Sequence, residues 1–169
     1  TERDRELLGI TWVADTSNNY DQRFYWGVDN PKQLNDEAIL DEDGNDTGEV
    51  QTGLKTLWKA KQNDIAASLI GESDKRIIKA LDQATTFAEF KAAKPANYTT
   101  YRAAVRTACN TRQAEIDACS DVAALKELLF GSAQIQQTDD DGNGVVDDDG
   151  NAVMIDNPNI ATAWPDPIA

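Results

Sequence analysis

Apolar residues recur at three-, four- and seven-residue spacing from Gly53 to Phe130, and this commits the middle of the chain to helices. Leu54, Leu57, Trp58, Ile65 and Leu69 make one apolar face between Gly53 and Ile70. A shorter helix is expected next, with Ser73 as its N-cap and Ile77, Ile78 and Leu81 as its apolar residues. Thr86-Phe87-Ala88-Glu89 has the form of a capping box and opens a short helix that Pro95 ends. The strongest periodicity runs from Tyr98 to Cys119, where Tyr101, Val105, Ala108, Arg112, Ile116 and Cys119 share one side. Ser120 is expected to cap a last helix, Val122 to Phe130, with Asp121 in its first turn and Gly131 as its stop. Trp58 stands among Lys55, Lys59 and Lys61, which fits the core-facing ring of an amphipathic helix better than a stacking platform.

The flanks have a different character. Ile10-Thr11-Trp12-Val13 and the segment Gln22 to Gly27 are rich in β-branched and aromatic residues, separated by the turn-forming Asp15 to Asn19. They predict a hairpin or two neighbouring strands, with Trp12, Phe24 and Trp26 in the core. Residues 33–50 contain acids and no base, and are expected to be a linker or exposed loop. Beyond Lys126, the last base, Asp-rich sequence leads through Val145-Val146 and the turn Asp149-Gly150 to Ala152-Val153-Met154-Ile155, a second hairpin signal. The segment Pro158 to Ala169 is Pro-rich and extended, and its Trp164 is costly to leave in water, so this tail is expected to dock, on its own chain in the simplest reading. The fold class that follows is α+β. A central antiparallel helical hairpin or small bundle (51–131) has a β-hairpin near each end (1–50 and 132–169) and an extended C-terminal tail.

Charge narrows the function classes. The chain of 169 residues has room for one ordinary domain and carries a net charge of -14. The stretch Lys55 to Lys126 holds twelve bases and eight acids, +4 in all, which leaves -18 on the flanks. That balance argues against a nucleic-acid backbone or an anionic membrane surface as partner. No apolar run approaches the ~20 residues of a membrane span and no signal-peptide core follows the N-terminus, so a soluble protein without a secretion signal is expected. Histidine is absent, which removes the commonest general base, the commonest metal ligand and every Ser-His or Cys-His pair. An acid-only hydrolase needs two carboxylates roughly 5–9.5 Å apart, and the sequence singles out no such pair. Cys109 and Cys119 lie roughly 15 Å apart along one helix, beyond the ~7 Å a disulfide tolerates, so both are expected as thiols, compatible with a reducing cytoplasm. The expectation is a protein that binds other proteins and is not an enzyme.

Two constellations stand out as candidate sites. Asp139 to Asp147 matches the first nine positions of an EF-hand loop. Asp139, Asp141 and Asn143 supply oxygens at positions one, three and five, Gly144 the turn, Val145 a carbonyl and Asp147 position nine. Position twelve is Gly150 in place of the bidentate Glu, and the preceding Gln134 to Thr138 is polar rather than an amphipathic helix. The loop is either a weak calcium site or an Asp/Gly/Asn-rich β-turn region, and Asp41 to Asp46 is a poorer copy of it. No cofactor is required, calcium is the one candidate, and an acidic calcium-responsive binding module is the alternative function. Arg102 and Arg106 lie one turn apart, off the apolar side of the strongest helix. They could clamp an acidic partner or a neighbouring copy's acidic flank, or pair internally.

The stretch Tyr98-Thr99-Thr100-Tyr101-Arg102-Ala103-Ala104-Val105-Arg106-Thr107 resembles the YR-x-x-(V/L)-R signature of phage tail assembly chaperones and tail accessory proteins. Ser68 to Asp74 is similar to that family's Leu-Leu-x-x-(Ser/Thr)-Asp-Trp turn, with Lys75 where the family has Trp. Ala114-Glu115-Ile116 and Asp121 to Leu125 also look like phage-encoded relatives, whereas the helix from Phe87 to Pro95 looks inserted before the signature. The likeness spans about residues 53–130. It implies a non-enzymatic phage protein that helps build the tail, its fibre or its baseplate, or stays in the virion as a structural component. Its place would be the host cytoplasm during assembly and then the virion tail. Its partners would be tail proteins and other copies of itself, met through Arg102, Arg106 and Trp164.

Overall fold

The computed structural model describes residues 20–167, so the segment Ile10 to Val13, with Trp12, lies outside the described residues. The chain divides into two units, Thr1–Pro31 and Lys32–Ala169. In the first, β1 (Tyr25–Gly27) pairs antiparallel with β2 (Asn30–Pro31) across a turn in which Asp29 takes a φ of 55°. The Asp21 carboxylate binds the Arg23 guanidinium at 2.7 Å, and its carbonyl accepts the amides of Phe24 and Tyr25. Phe24 is fully buried, as expected, but Trp26 remains 65% exposed. A ribbon of two such short strands gives little backing for a second large ring.

The second unit is α+β. Four helices, α1 (Leu54–Gln83), α2 (Phe87–Ala93), α3 (Tyr98–Ala118) and α4 (Val122–Phe130), stand among its described residues with two ribbons. The ribbons are β3 (Glu37–Leu40) with β4 (Asp46–Gln51), and β5 (Gln134–Gln136) with β6 (Met154–Asp156), both antiparallel. Helices α1 and α3 form the helical hairpin. Its antiparallel sense follows from the cross-links: Lys55 Nζ donates to the Asp117 carbonyl, Arg112 to Gln62, and Arg102 to Asp74. Between the two helices Ala66 faces Tyr101, Val105 and Cys109, with Leu69, Ile70, Tyr98 and Trp164 packed around them. A small residue on α1 opposite larger ones on α3 lets the helices close without voids. Ile116 and Leu125 are fully buried further along.

Three local expectations change. The predicted break at Ser73 does not occur, and α1 runs unbroken for 30 residues. The buried Ser73 hydroxyl donates to the Ile70 carbonyl at 2.6 Å, so it satisfies itself within the helix rather than capping a new one. Residues 33–50 are not simply a loop, because Glu37 pairs with Gln51 and Ala38 with Val50 in the β3–β4 hairpin. Asp121, not Ser120, caps α4 by accepting the Ala124 amide at 2.8 Å, while Ser120 donates to Asp121. The capping box at α2 is present: Thr86 accepts the Glu89 amide and Glu89 accepts the Thr86 amide, each at 3.2 Å.

The N-terminus of α1 has no side-chain cap of its own. Its orphan amides are met by the segment before β3. Leu54 N donates to the Gln33 carbonyl at 2.9 Å and Lys55 N to the Leu34 carbonyl at 3.0 Å. Asp36 accepts the Gly53 amide at 2.7 Å and the Thr56 hydroxyl at 2.9 Å, and its charge suits the positive end of the helix.

Candidate functional site

The two stretches that carry the family resemblance meet in space. Asp74 on α1 accepts the Tyr98 hydroxyl at 2.7 Å and pairs with the Arg102 guanidinium, both on α3. Arg102 also donates to the Tyr98 oxygen at 3.0 Å and to Ser73 Oγ at 3.4 Å, and lies 5.2 Å over the Tyr98 ring. The Asp74 carboxylate, by accepting the phenol proton, raises the Tyr98 pKa above its ordinary value. Arg102 is thus turned to its own chain. Arg106 is exposed and forms no ion pair among the described residues, so it alone of the predicted arginine pair remains open to a partner. Asp74→Ala would strand a partly buried guanidinium and is expected to cost about 1–3 kcal/mol in denaturant unfolding. In a double-mutant cycle with Arg102→Ala the two losses should fall short of additive, and full additivity would dissolve the cluster.

The C-terminal segment is a strap fastened along the helices. Buried Asn157 donates through Nδ2 to Glu127 at 2.7 Å and to the Ser132 carbonyl at 2.9 Å. Further on, Ala161 N reaches the Leu128 carbonyl at 2.8 Å, and the Thr162 amide and hydroxyl both donate to Glu115. Arg112 then donates to the Thr162 carbonyl and to Gln62 Oε1, with its guanidinium 5.3 Å over the Trp164 ring. Trp164, expected at a partner interface, packs here against the cluster of Ala66, Tyr101, Val105 and Cys109. Beside the strap an open groove of about 480 Å³ is lined by Glu115, Cys119, Leu128 and Pro158, among others. Both cysteines are free, and burial pushes the Cys119 thiol up, away from the reactive thiolate.

The Asp-rich region holds an order that the EF-hand template conceals. Asp139-Asp140-Asp141-Gly142-Asn143 recurs eight residues later as Asp147-Asp148-Asp149-Gly150-Asn151. Each copy closes a small hairpin, bridged at Thr138 with Gly144 and at Val146 with Ala152. At the centre three amides close a ring: Val145 N to the Gln137 carbonyl at 2.7 Å, Val153 N to Val145 at 3.0 Å, and Gln137 N to Val153 at 2.8 Å. Two hairpin arms and the β5–β6 ladder therefore radiate from residues 137, 145 and 153, a three-armed β module built on an eight-residue repeat.

The turn chemistry is the same in both arms and again in the β3–β4 hairpin. Asp139 accepts the amides of Asp141 at 3.0 Å and Asn143 at 2.8 Å, Asp147 those of Asp149 and Asn151, and Asp41 those of Asp43 and Asn45. Gly142, Gly150 and Gly44 take φ of 84°, 83° and 83°, the left-handed position of a type I turn with a G1 bulge. Of the five calcium candidates, Asp139, Asp141 and Asn143 therefore lie in one turn, Asp147 in the other and Val145 at the junction between the arms. Asp139 and Asp147 bind their own backbones, and the Val145 carbonyl already accepts Val153 N and Gln136 Nε2. Among the described residues no group of three or more His, Cys, Asp or Glu is placed to hold a metal ion.

These turns carry a pH prediction. The amides of Asn143, Asn151 and Asn45, followed by their side chains, hold Asp139, Asp147 and Asp41 below the usual carboxylate range. A depressed folded pKa contributes stability in full above the unfolded value near 3.9 and loses it as pH falls through the folded value. The Asn amide resonances should hold steady down to about pH 4 and then shift in step in all three turns below it. Amides that begin to move near pH 6 would contradict the hydrogen bonding described.

Among the described residues no helix is long and apolar enough to cross a membrane. Comparison with protein-family models, curated proteins and solved structures returns no match.

Proposed function

We propose that this chain is a bacteriophage tail-associated protein, either an accessory component of the tail, fibre or baseplate or an assembly factor for it. It acts by binding proteins rather than by catalysis. The observation that carries the proposal is the cluster of Ser73, Asp74, Tyr98 and Arg102. The two sequence stretches that resemble the tail family lie more than twenty residues apart, yet their polar residues form one hydrogen-bonded joint across α1 and α3. The absence of histidine and the high exposed charge suit a surface-binding role, with work in the host cytoplasm and then in the virion tail.

A tagged copy expressed during infection should co-purify with a tail, fibre or baseplate protein. Recovery with no such protein, under conditions that keep known tail complexes intact, overturns the proposal.

A further inference from the structure

The second unit carries two complementary charged surfaces at a distance from one another. At the end of the helical hairpin away from Lys55 and Asp117, a cleft of about 440 Å³ opens between α1 and the end of α2, lined by Arg76, Lys79, Ala80, Gln83, Ala93 and Pro95. Neither Arg76 nor Lys79 forms an ion pair among the described residues. Residues 72–106 carry seven of the chain's sixteen bases and four acids, of which Glu72 pairs with Lys75 and Asp74 with Arg102, so a net +3 of the helical centre's +4 gathers at this end. The opposite charge is on the two hairpin arms. Asp140, Asp141, Asp148 and Asp149 are exposed, and their carboxylates, unlike those of Asp139 and Asp147, accept no side-chain or turn hydrogen bond among the described residues.

The arms follow α4, which packs at the Asp117 end of α3. Arg76 is seventeen residues along α1 from Lys59, the residue paired with Asp117, or roughly 25 Å at 1.5 Å per residue. Cleft and arms therefore belong to different ends of one unit. We propose that the cleft at Arg76 and Lys79 receives an acidic arm, Asp139–Asn143 or Asp147–Asn151, of a second copy of this chain, so that copies join head to tail. Such a heterologous contact uses different surfaces on the two partners, and repetition gives a ring or a filament. The net charge of -14 opposes association at long range, but with a Debye length of about 8 Å at physiological salt the bulk repulsion is screened while carboxylates in contact with Arg76 and Lys79 are not.

The test uses the full chain and two charge variants in analytical ultracentrifugation. Wild type should associate with rising concentration, more strongly at about 50 mM than at about 500 mM salt. R76E/K79E and, separately, D140N/D141N/D148N/D149N should each weaken association by about tenfold or more while keeping the helical circular dichroism of wild type. The decisive sample is their equimolar mixture. The first variant retains its arms and the second its cleft, so the mixture should form 1:1 dimers that cannot extend. A mixture that stays monomeric, either variant associating as well as wild type, or a wild type monomeric at about 0.5 mM overturns the inference. None of these outcomes bears on co-purification with tail proteins, so the two proposals fail separately.

Discussion

Ile116→Ala is expected to lower the unfolding free energy by about 2–5 kcal/mol. Ile116 on α3 is fully buried, and Leu125 on α4 is buried as completely. Removing the branched side chain loses the transfer free energy of its methyl groups and leaves a space that the surrounding helices close only in part. In a domain whose total stability is about 5–15 kcal/mol this is a large share. Ile78, 64% exposed on α1, is the internal control: Ile78→Ala should change stability by no more than about 0.5 kcal/mol. Urea unfolding followed by helical circular dichroism checks both. Equal losses at the two positions would contradict the assignment of inward and outward faces.

Gly53→Ala is the second large effect. A Cβ built on Gly53 would lie 2.3 Å from the Asn35 carbonyl carbon, 2.4 Å from its oxygen and 2.8 Å from its Cα, all backbone atoms. No side-chain rotation relieves that clash, so the segment carrying Gln33 to Asp36 must move off the end of α1. Moving it strands the amides of Leu54 and Lys55 and removes Asp36 from Gly53 and Thr56. The expected loss is about 1–3 kcal/mol from overpacking, with faster amide exchange in the first turn of α1. Gly71 lies within the same helix with open space where a Cβ would go, so Gly71→Ala should instead stabilise by roughly 0.5–1 kcal/mol. Opposite signs for the two changes are the outcome to look for. A stabilising Gly53→Ala would mean that the segment 33–36 does not close the helix.

The helices were legible because their signals are local. The spacing of Tyr101, Val105, Ala108 and Ile116 marks the buried side of α3, and Thr86 with Glu89 marks the start of α2. Ser73 misled because the residue types that begin helices also tolerate helix interiors when their hydroxyl can bond back to a carbonyl, as it does to Ile70. The β3–β4 hairpin was hidden by its acidity, since its pairing of Ala38 with Val50 shows no clear alternation. In the Asp-rich region the turn at Asp149-Gly150 was legible as a hairpin, whereas the eight-residue repeat was masked because a nine-position metal template spans the first Asp-Asp-Asp-Gly-Asn and the start of the second. That the strap docks was legible from the cost of exposing Trp164, but the place where it docks was not. Its anchors join Arg112 to Thr162 and Glu115 to Thr162, contacts about fifty residues apart with no periodic trace in the chain. A contact distant in sequence also decides between Arg102 and Arg106, which sit one turn apart: Asp74, 28 residues before Arg102 on α1, pairs with Arg102 and leaves Arg106 exposed.

Quantitative mass spectrometry of salt-washed phage particles and of tail-assembly intermediates from infected cells tests the central claim most directly. The chain should be present in at least one of the two at a constant ratio to a tail protein: in the particles if it is a structural component, in the intermediates alone if it is an assembly factor. Its absence from both, while the protein is abundant in the same lysate, would contradict the account.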